Sequence, residues 1–193
     1  ADGGEDWEAV LSEPGMGRTS LAIAPSDPRT IYALAASNLP GPGGRFEQGL
    51  HAVYRSQSGG DAGSWRVRIA NTDADLLGTL LLTNAVSSSY VQCGWGSANS
   101  WVTMGWYCNV IAVDPVDPDV VWAGGVDLFR SDDGGRSWGL ASYWWSDLDP
   151  PRPSFVHADQ HAVVFHPGYD GHANTRMFAA NDGGVFRTEN PSA

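Results

Sequence analysis

The sequence predicts an all-β fold of repeated four-stranded antiparallel units. Three observations carry that prediction. A set of alternating strands recurs three times, the punctuation between strands is rich in Gly, Pro and Asp, and a turn pattern ending in Trp recurs at one place in the repeat. Among 193 residues there are 24 glycines, 12 prolines and 9 tryptophans, a mixture that suits short strands joined by tight turns.

The second repeat is the clearest. From Asn109 an alternating apolar strand runs to Asp114-Pro115, a second covers Val120 to Ala123, a third covers Asp127 to Ser131, and Trp138 opens a fourth. The first repeat has the same order in SLAIAPSDP (20–28), RTIYALAAS (29–37), LHAVYRS (50–56) and the strand WRVRIA opened by Trp65. The third has HAVVFHP (161–167), RMFAAND (176–182) and GVFRTEN (184–190). The third strands align as Tyr54-Arg55-Ser56, Phe129-Arg130-Ser131 and Phe186-Arg187-Thr188. Period-two alternation marks half-buried strands, and tandem four-stranded units of this kind are β-propeller blades. The expected organisation is blade one over 19–70, an insertion over 71–105, blade two over 106–145 and blade three over 155–190. Residues 1–12 read as a latch strand that completes blade three. Closed rings take about four to eight blades, so the remaining blades are expected from the same precursor or a second copy.

The stretch Ser131-Asp132-Asp133-Gly134-Gly135-Arg136-Ser137-Trp138 fits S-x-D-x-G-x-x-W in full. Its chemistry is local. The Asp side chain can accept backbone N–H groups inside the turn, the glycines tolerate positive φ, and the Trp packs between sheets. Ser131, Asp133, Gly135 and Trp138 are therefore read as structural. A degenerate copy, Ser56-Gln57-Ser58-Gly59-Gly60, precedes Trp65 with a two-residue insertion, and Ala1-Asp2-Gly3-Gly4-Glu5-Asp6-Trp7 matches the second half of the pattern. The motif resembles the Asp-box (BNR) repeat of sialidases, sortilin-like receptors, photosystem assembly factors and family 74 glycoside hydrolases.

Composition narrows the function classes. The formal net charge is −11, and all 11 basic residues are arginine. Nucleic acid is excluded as an expected partner, because phosphate neutralisation needs a basic face. No apolar run approaches the roughly 20 residues of a membrane span. No basic-then-apolar leader opens the chain, which reads as a mature or excised segment. Cys93 and Cys108 bracket a Gly/Trp/Ser-rich stretch, and a loop-bridging disulfide formed in an oxidising compartment is the simplest account, with buried thiols as the other. Neither cysteine has zinc-ligand spacing. A secreted or cell-surface location is expected.

Candidate site residues fall in three groups. Long propeller insertions tend to line a binding cleft, and Tyr90, Trp95, Trp101, Trp106, Tyr107, Trp144 and Trp145 exceed what a core of this size needs. Rings of this kind stack on sugars or pack between blades. In His157-Ala158-Asp159-Gln160-His161, an extended strand would point His157, Asp159 and His161 the same way, about 6 to 7 Å apart. Such a set could bind a divalent metal, polarise a substrate, or close the channel as a hydrogen-bonded cluster. Asn181-Asp182-Gly183-Gly184 is a hairpin signal by its residues alone.

The stretch FAANDGGVFR resembles the first-blade segment of family 74 glycoside hydrolases, which implies a general-base role for Asp182. The run from Gly105 to Pro115 resembles that family's second catalytic stretch, where Asn109 stands at the acid Asp. An inverting glycosidase needs two carboxyl groups roughly 6.5 to 9.5 Å apart, so Asp159 is the candidate replacement, or the site binds glycan without cutting it. Sialidase chemistry is not expected, since no Arg-Ile-Pro segment is present. The expected function is a secreted carbohydrate-active propeller module acting on a polysaccharide. The alternative is a non-catalytic interaction or assembly propeller of the sortilin type.

Overall fold

The computed structural model describes residues 4–40, 46–71, 80–84, 102–144 and 155–191. These residues form three consecutive antiparallel sheets and no helix. In the first sheet β1 (Met16–Ile23), β2 (Ile31–Ser37), β3 (Leu50–Ser56) and β4 (Arg66–Ala70) pair in chain order. The second repeats that order with β5 (Val110–Val113), β6 (Val121–Gly124), β7 (Leu128–Ser131) and β8 (Gly139–Leu140). The third holds β9 (Gln160–Phe165), β10 (Met177–Asn181) and β11 (Gly184–Thr188). The first strands of successive sheets, β1, β5 and β9, lie side by side. The sheets therefore radiate from a common side as propeller blades do. The chain is a partial β-propeller.

Alternation along each strand decides what packs between blades. On β2, Tyr32, Leu34 and Ala36 face the second blade and meet Ile111, Val121, Ala123, Phe129 and Trp138. The intervening Ala33 and Ala35 join Ala52 and Tyr54 on the other face. Blade two turns Ala112, Trp122 and Leu128 toward Val163, Met177 and Ala179 of blade three. Polar ties fix these contacts at their rims. Arg55 Nη2 pairs with Asp119 Oδ1 at 2.6 Å, and Tyr32 Oη donates to the Pro118 carbonyl at 2.8 Å. Tyr169 Oη donates to Asp114 Oδ2 at 2.5 Å, tying blade three to blade two.

The 131–138 turn closes as its residues dictate. Asp133 Oδ1 accepts the N–H groups of Arg136 and Ser137, both at 2.9 Å, and Oδ2 accepts the Ser137 hydroxyl at 2.6 Å. Ser131 Oγ accepts the Gly135 N–H at 2.9 Å, and Trp138 Nε1 donates to the Gly135 carbonyl at 3.0 Å. The degenerate copy keeps its two ends. Ser56 Oγ accepts from Gly60 N at 3.1 Å, and Trp65 Nε1 donates to Gly60 O at 3.2 Å.

Two expectations need correction. The described part of the proposed latch, residues 4–12, pairs with no strand of blade three. Leu11 packs instead against blade one, and Tyr54 Oη donates to nearby Glu13 at 2.8 Å. Cys108 is a free, buried thiol and not one end of a bridge, and Cys93 lies outside the described residues. Within 71–105, the described Leu80, Leu81 and Leu82 are core residues between blades one and two, while residues 72–79 and 85–101, with Tyr90, Trp95 and Trp101, lie outside the described residues. A run of three leucines removes more apolar surface from water by filling a gap between sheets than by rimming one.

Candidate functional site

The site is built where the lead-in to blade two meets the β10–β11 hairpin of blade three. Residues 104–108 turn tightly, with the N–H groups of Tyr107 and Cys108 both donating to the Met104 carbonyl at 2.9 Å. Blade one holds this turn in place. Arg18 Nη1 donates to the carbonyls of Trp106 at 2.9 Å and Tyr107 at 2.6 Å. The turn therefore presents Trp106, which is 58% exposed, and Tyr107, their rings 5.4 Å apart.

Opposite them, Asp182 and Gly183 connect β10 to β11. Gly184 follows at φ +119°, a conformation that favours glycine. A buried amide pair anchors the hairpin. Asn181 Oδ1 accepts the Gly183 N–H at 3.0 Å, and Asn181 Nδ2 donates to Gln160 Oε1 at 3.3 Å. Gln160 Nε2 in turn donates to the His157 carbonyl at 2.6 Å and the Val126 carbonyl at 3.3 Å. A Cβ on Gly183 would stand 2.4 Å from His157 Cγ, so only glycine admits that imidazole.

Asp182 is the convergence point. Tyr107 Oη donates to both of its oxygens, at 3.0 and 3.1 Å, and His161 Nε2 lies 2.7 Å from Oδ1. The Tyr107 and His161 rings meet edge to face at 4.9 Å. The His161 and Tyr107 hydrogen bonds, in that order, hold the Asp182 carboxyl below its ordinary range, and the His157 and His161 charges reinforce them. The same bond to Asp182 holds the Tyr107 phenol above its ordinary range. Asp182 and His161 both remain half exposed, so this is an ionised carboxylate open to solvent beside an exposed indole.

The other expected residues fall differently. His157 and His161 flank Asp182, but Asp159 does not align with them in a strand, because β9 begins only at Gln160 and Asp159 sits at φ +67°. Its N–H donates to the Val126 carbonyl at 3.0 Å, and Oδ1 accepts the Cys108 thiol at 3.7 Å. Burial, then the Asp159 charge, pushes that thiol well above its ordinary range. Among the described residues no group of three His, Cys, Asp or Glu side chains is placed to hold a metal ion, the His157–Asp159–His161 set included. Asn109 is buried. Its Nδ2 donates to the carbonyls of Arg18 at 3.1 Å and Leu34 at 3.4 Å, so its amide joins blades one and two. Trp95 and Trp101 lie outside the described residues.

Sequence reasoning did not assign Tyr107 a role beyond its aromatic ring, nor Arg18, Gln160 and Asn181 any role. Tyr107 stands beside Trp106 in the motif, but no local pattern announces a partner 75 residues away.

No protein-family profile matches the chain, and no curated protein matches it. Solved structures do. The GH74 enzyme of Niastella koreensis is 18% identical, with a TM-score of 0.48, over 91% of this chain and 21% of its own. YCF48 from Cyanidioschyzon merolae is 14% identical, with a TM-score of 0.45, over 94% of this chain and 37% of its own. An ancestral GH74 enzyme is 15% identical, with a TM-score of 0.41, over 88% of this chain and 19% of its own. The chain spans about a fifth of the length of these two GH74 enzymes and just over a third of YCF48.

Proposed function

We propose that this chain is part of a carbohydrate-active, Asp-box-type propeller, and that it binds a polysaccharide through Asp182 and Trp106. The observation that carries the reading is the exposed, ionised Asp182 held by Tyr107 and His161 beside an exposed indole. A carboxylate offers about four lone-pair sites. Tyr107 and His161 occupy most of those on Oδ1, which leaves Oδ2 able to accept a sugar hydroxyl. His157, packed on Gly183, stands ready as a second polar contact. The Trp106 ring supplies the flat apolar face on which the C–H side of a pyranose stacks. The resemblance of FAANDGGVFR to the family 74 segment points to the same carboxylate. Polysaccharide recognition also fits a secreted or cell-surface protein.

Binding is the better-supported half of the activity. Inverting hydrolysis asks for a second carboxyl roughly 6.5 to 9.5 Å from the first, and Asn109, at the position the resemblance assigns to the acid, is an interior amide. Asp159 is the remaining candidate acid, with one oxygen already taken by the Cys108 thiol. The test is calorimetric titration of β-glucans, xyloglucan and host glycans into the wild-type protein, Asp182→Ala and Trp106→Ala, with product analysis alongside. The reading expects at least tenfold weaker binding in each variant. Binding of no glycan, or binding that both variants leave unchanged, overturns it. Release of sugar product that Asp182→Ala and Asp159→Ala both abolish would extend it to cleavage.

A further inference from the structure

The surface around Asp182 has a definite electrical sign. Among the described residues the one ion-pair partner of Asp182 is the imidazole of His161, and no arginine pairs with it. Arg55, Arg130 and Arg176 are taken by Asp119, Asp132 and Glu189. Arg18 is the guanidinium bonded to the Trp106–Tyr107 turn, and its Nη1 is committed to the two main-chain carbonyls there. A second carboxylate adds to the sign. The bond to Asp182 is the first cause that raises the Tyr107 phenol, and the Asp159 charge adds to it, so both acids act on this ring. His157 and His161 are the titratable groups that flank Asp182, and as neutral rings they leave its charge in place. The chain as a whole carries a formal charge of −11 and has no lysine, so the background field is negative too.

The aromatic half of the site favours the same sign of ligand. The Trp106 ring is 58% exposed, and the Tyr107 ring lies 5.4 Å from it at 40°. Tyr107 Oη in turn donates to both oxygens of Asp182. A chain stacked on the indole therefore has the carboxylate one tyrosine away. The face of an indole is the negative lobe of its quadrupole and attracts cations. The ring face and the open Asp182 Oδ2 thus both select positive charge.

From this shared sign we propose that the ligand is a polysaccharide of amino sugars with free amines, one ammonium group binding Asp182 while a neighbouring pyranose lies on Trp106. The inference rests on the carbohydrate reading above and specifies the ligand of that same site. An ammonium brings three donors and a full charge, and a charge-assisted hydrogen bond is roughly twice as strong as a neutral one. N-acetylation leaves an uncharged amide with a single donor. A uronate or a sulfate would set like charges against each other, which costs affinity. The site therefore ranks glycans by charge, amine-bearing above neutral and neutral above acidic.

The test compares oligomers of one backbone and one length, chitosan oligomers with free amines and the same oligomers fully N-acetylated, by calorimetric titration at pH 7. The free-amine oligomer is expected to bind the wild type at least tenfold more tightly, and added salt is expected to shrink that advantage. Asp182→Asn is expected to erase the advantage. Equal affinities, a preference for the acetylated form, or an advantage that salt leaves unchanged overturns the inference. So does an equal free-amine preference in Asp182→Asn, which marks a general attraction to an acidic chain. In each of these cases the carbohydrate reading stands. Binding of neither oligomer also overturns the inference, and it takes that reading with it only if the neutral glycans fail to bind as well. Should Asp182→Asn fail to fold, the Asp182 carboxyl carbon resonance of the wild type serves instead. It is expected to move on saturation with the free-amine oligomer, and a resonance that stays in place overturns the inference.

Discussion

Asp127 is a fully buried carboxyl at the entry to β7. Its Oδ1 accepts the Trp144 N–H at 3.2 Å, while Oδ2 has no partner among the described residues. Burial, the largest cause, raises its pKa, the Trp144 N–H works the other way, and the Asp159 charge adds to the rise, leaving the group pushed up from 3.8 to about 7. At about 1.4 kcal/mol per pH unit, that displacement amounts to roughly 4 kcal/mol. The sign follows from proton counting. Between about pH 4 and pH 7 the folded chain holds a proton that the unfolded chain has released, so stability falls as pH rises through that window and levels off above it.

Asp127→Asn keeps an oxygen for the Trp144 N–H and is neutral at every pH. It is therefore expected to match the wild type within about 1 kcal/mol at pH 4 and to exceed it by about 2 to 4 kcal/mol at pH 8, with the slope between them gone. Urea unfolding of both proteins at pH 4, 5, 6, 7 and 8 measures this, read as midpoint multiplied by slope. Parallel stability curves for the two proteins would refute the reasoning, because they would mean that the carboxyl ionises alike in both states. Asp159→Asn offers an internal check. With that neighbouring charge removed, the decline should level off at lower pH and be smaller in total.

Three further outcomes follow from the turn and the site. Burial alone would raise Asp133, but the bonds from Ser137, Ser131 and Arg136 outweigh it and hold the group at about 2. The stability this supplies is complete above about pH 4 and lost as pH falls toward 2. Discounted for its exposure it is worth about 1 kcal/mol, so Asp133→Ala should flatten the acid limb of the unfolding curve by that amount. Trp138 is buried between blades, and Trp138→Ala should cost about 3 to 5 kcal/mol. The half-buried Trp65 should cost less on the same substitution, as urea midpoints will show. Tyr107→Phe removes one of the two side chains whose hydrogen bonds hold Asp182 down, so the Asp182 carbon resonance should titrate at higher pH than in the wild type. An unchanged titration would leave the phenol without influence on the carboxylate.

What could be read in the sequence was what the chain settles within a few residues. Strand alternation in IYALAAS is a statement about two faces, and both faces found their neighbours. The 131–138 turn was legible because Asp133 satisfies backbone donors three and four residues on. The turn that carries Asp182 was legible for the same reason, as a hairpin that Asn181 and Gly184 shape locally. The misreadings share the opposite cause. The alternation assumed for His157 to His161 broke because the Asp159 and Gln160 N–H groups donate to Val126 and Gly125, carbonyls of a loop more than thirty residues earlier. Asn109 was a candidate because of its neighbours in sequence, yet its partners are Arg18 and Leu34 in another blade.

The cluster around Asp182 lies between these cases, because its hairpin is local while the side chains that hold the carboxylate are not. Asp182 comes from blade three, Tyr107 from the lead-in to blade two, and the guanidinium that fixes the Tyr107 turn from β1 of blade one. The Asp182 carboxylate is thus held ionised by groups from different blades, and its accessibility depends on how the blades sit against one another. A substitution that loosens the joint between blades one and two, such as Asn109→Ala, should therefore disturb the Asp182 titration although the two residues share no contact. In a propeller of this kind local chemistry presents the carboxylate, and the packing between blades decides what holds it and how open it stays to solvent.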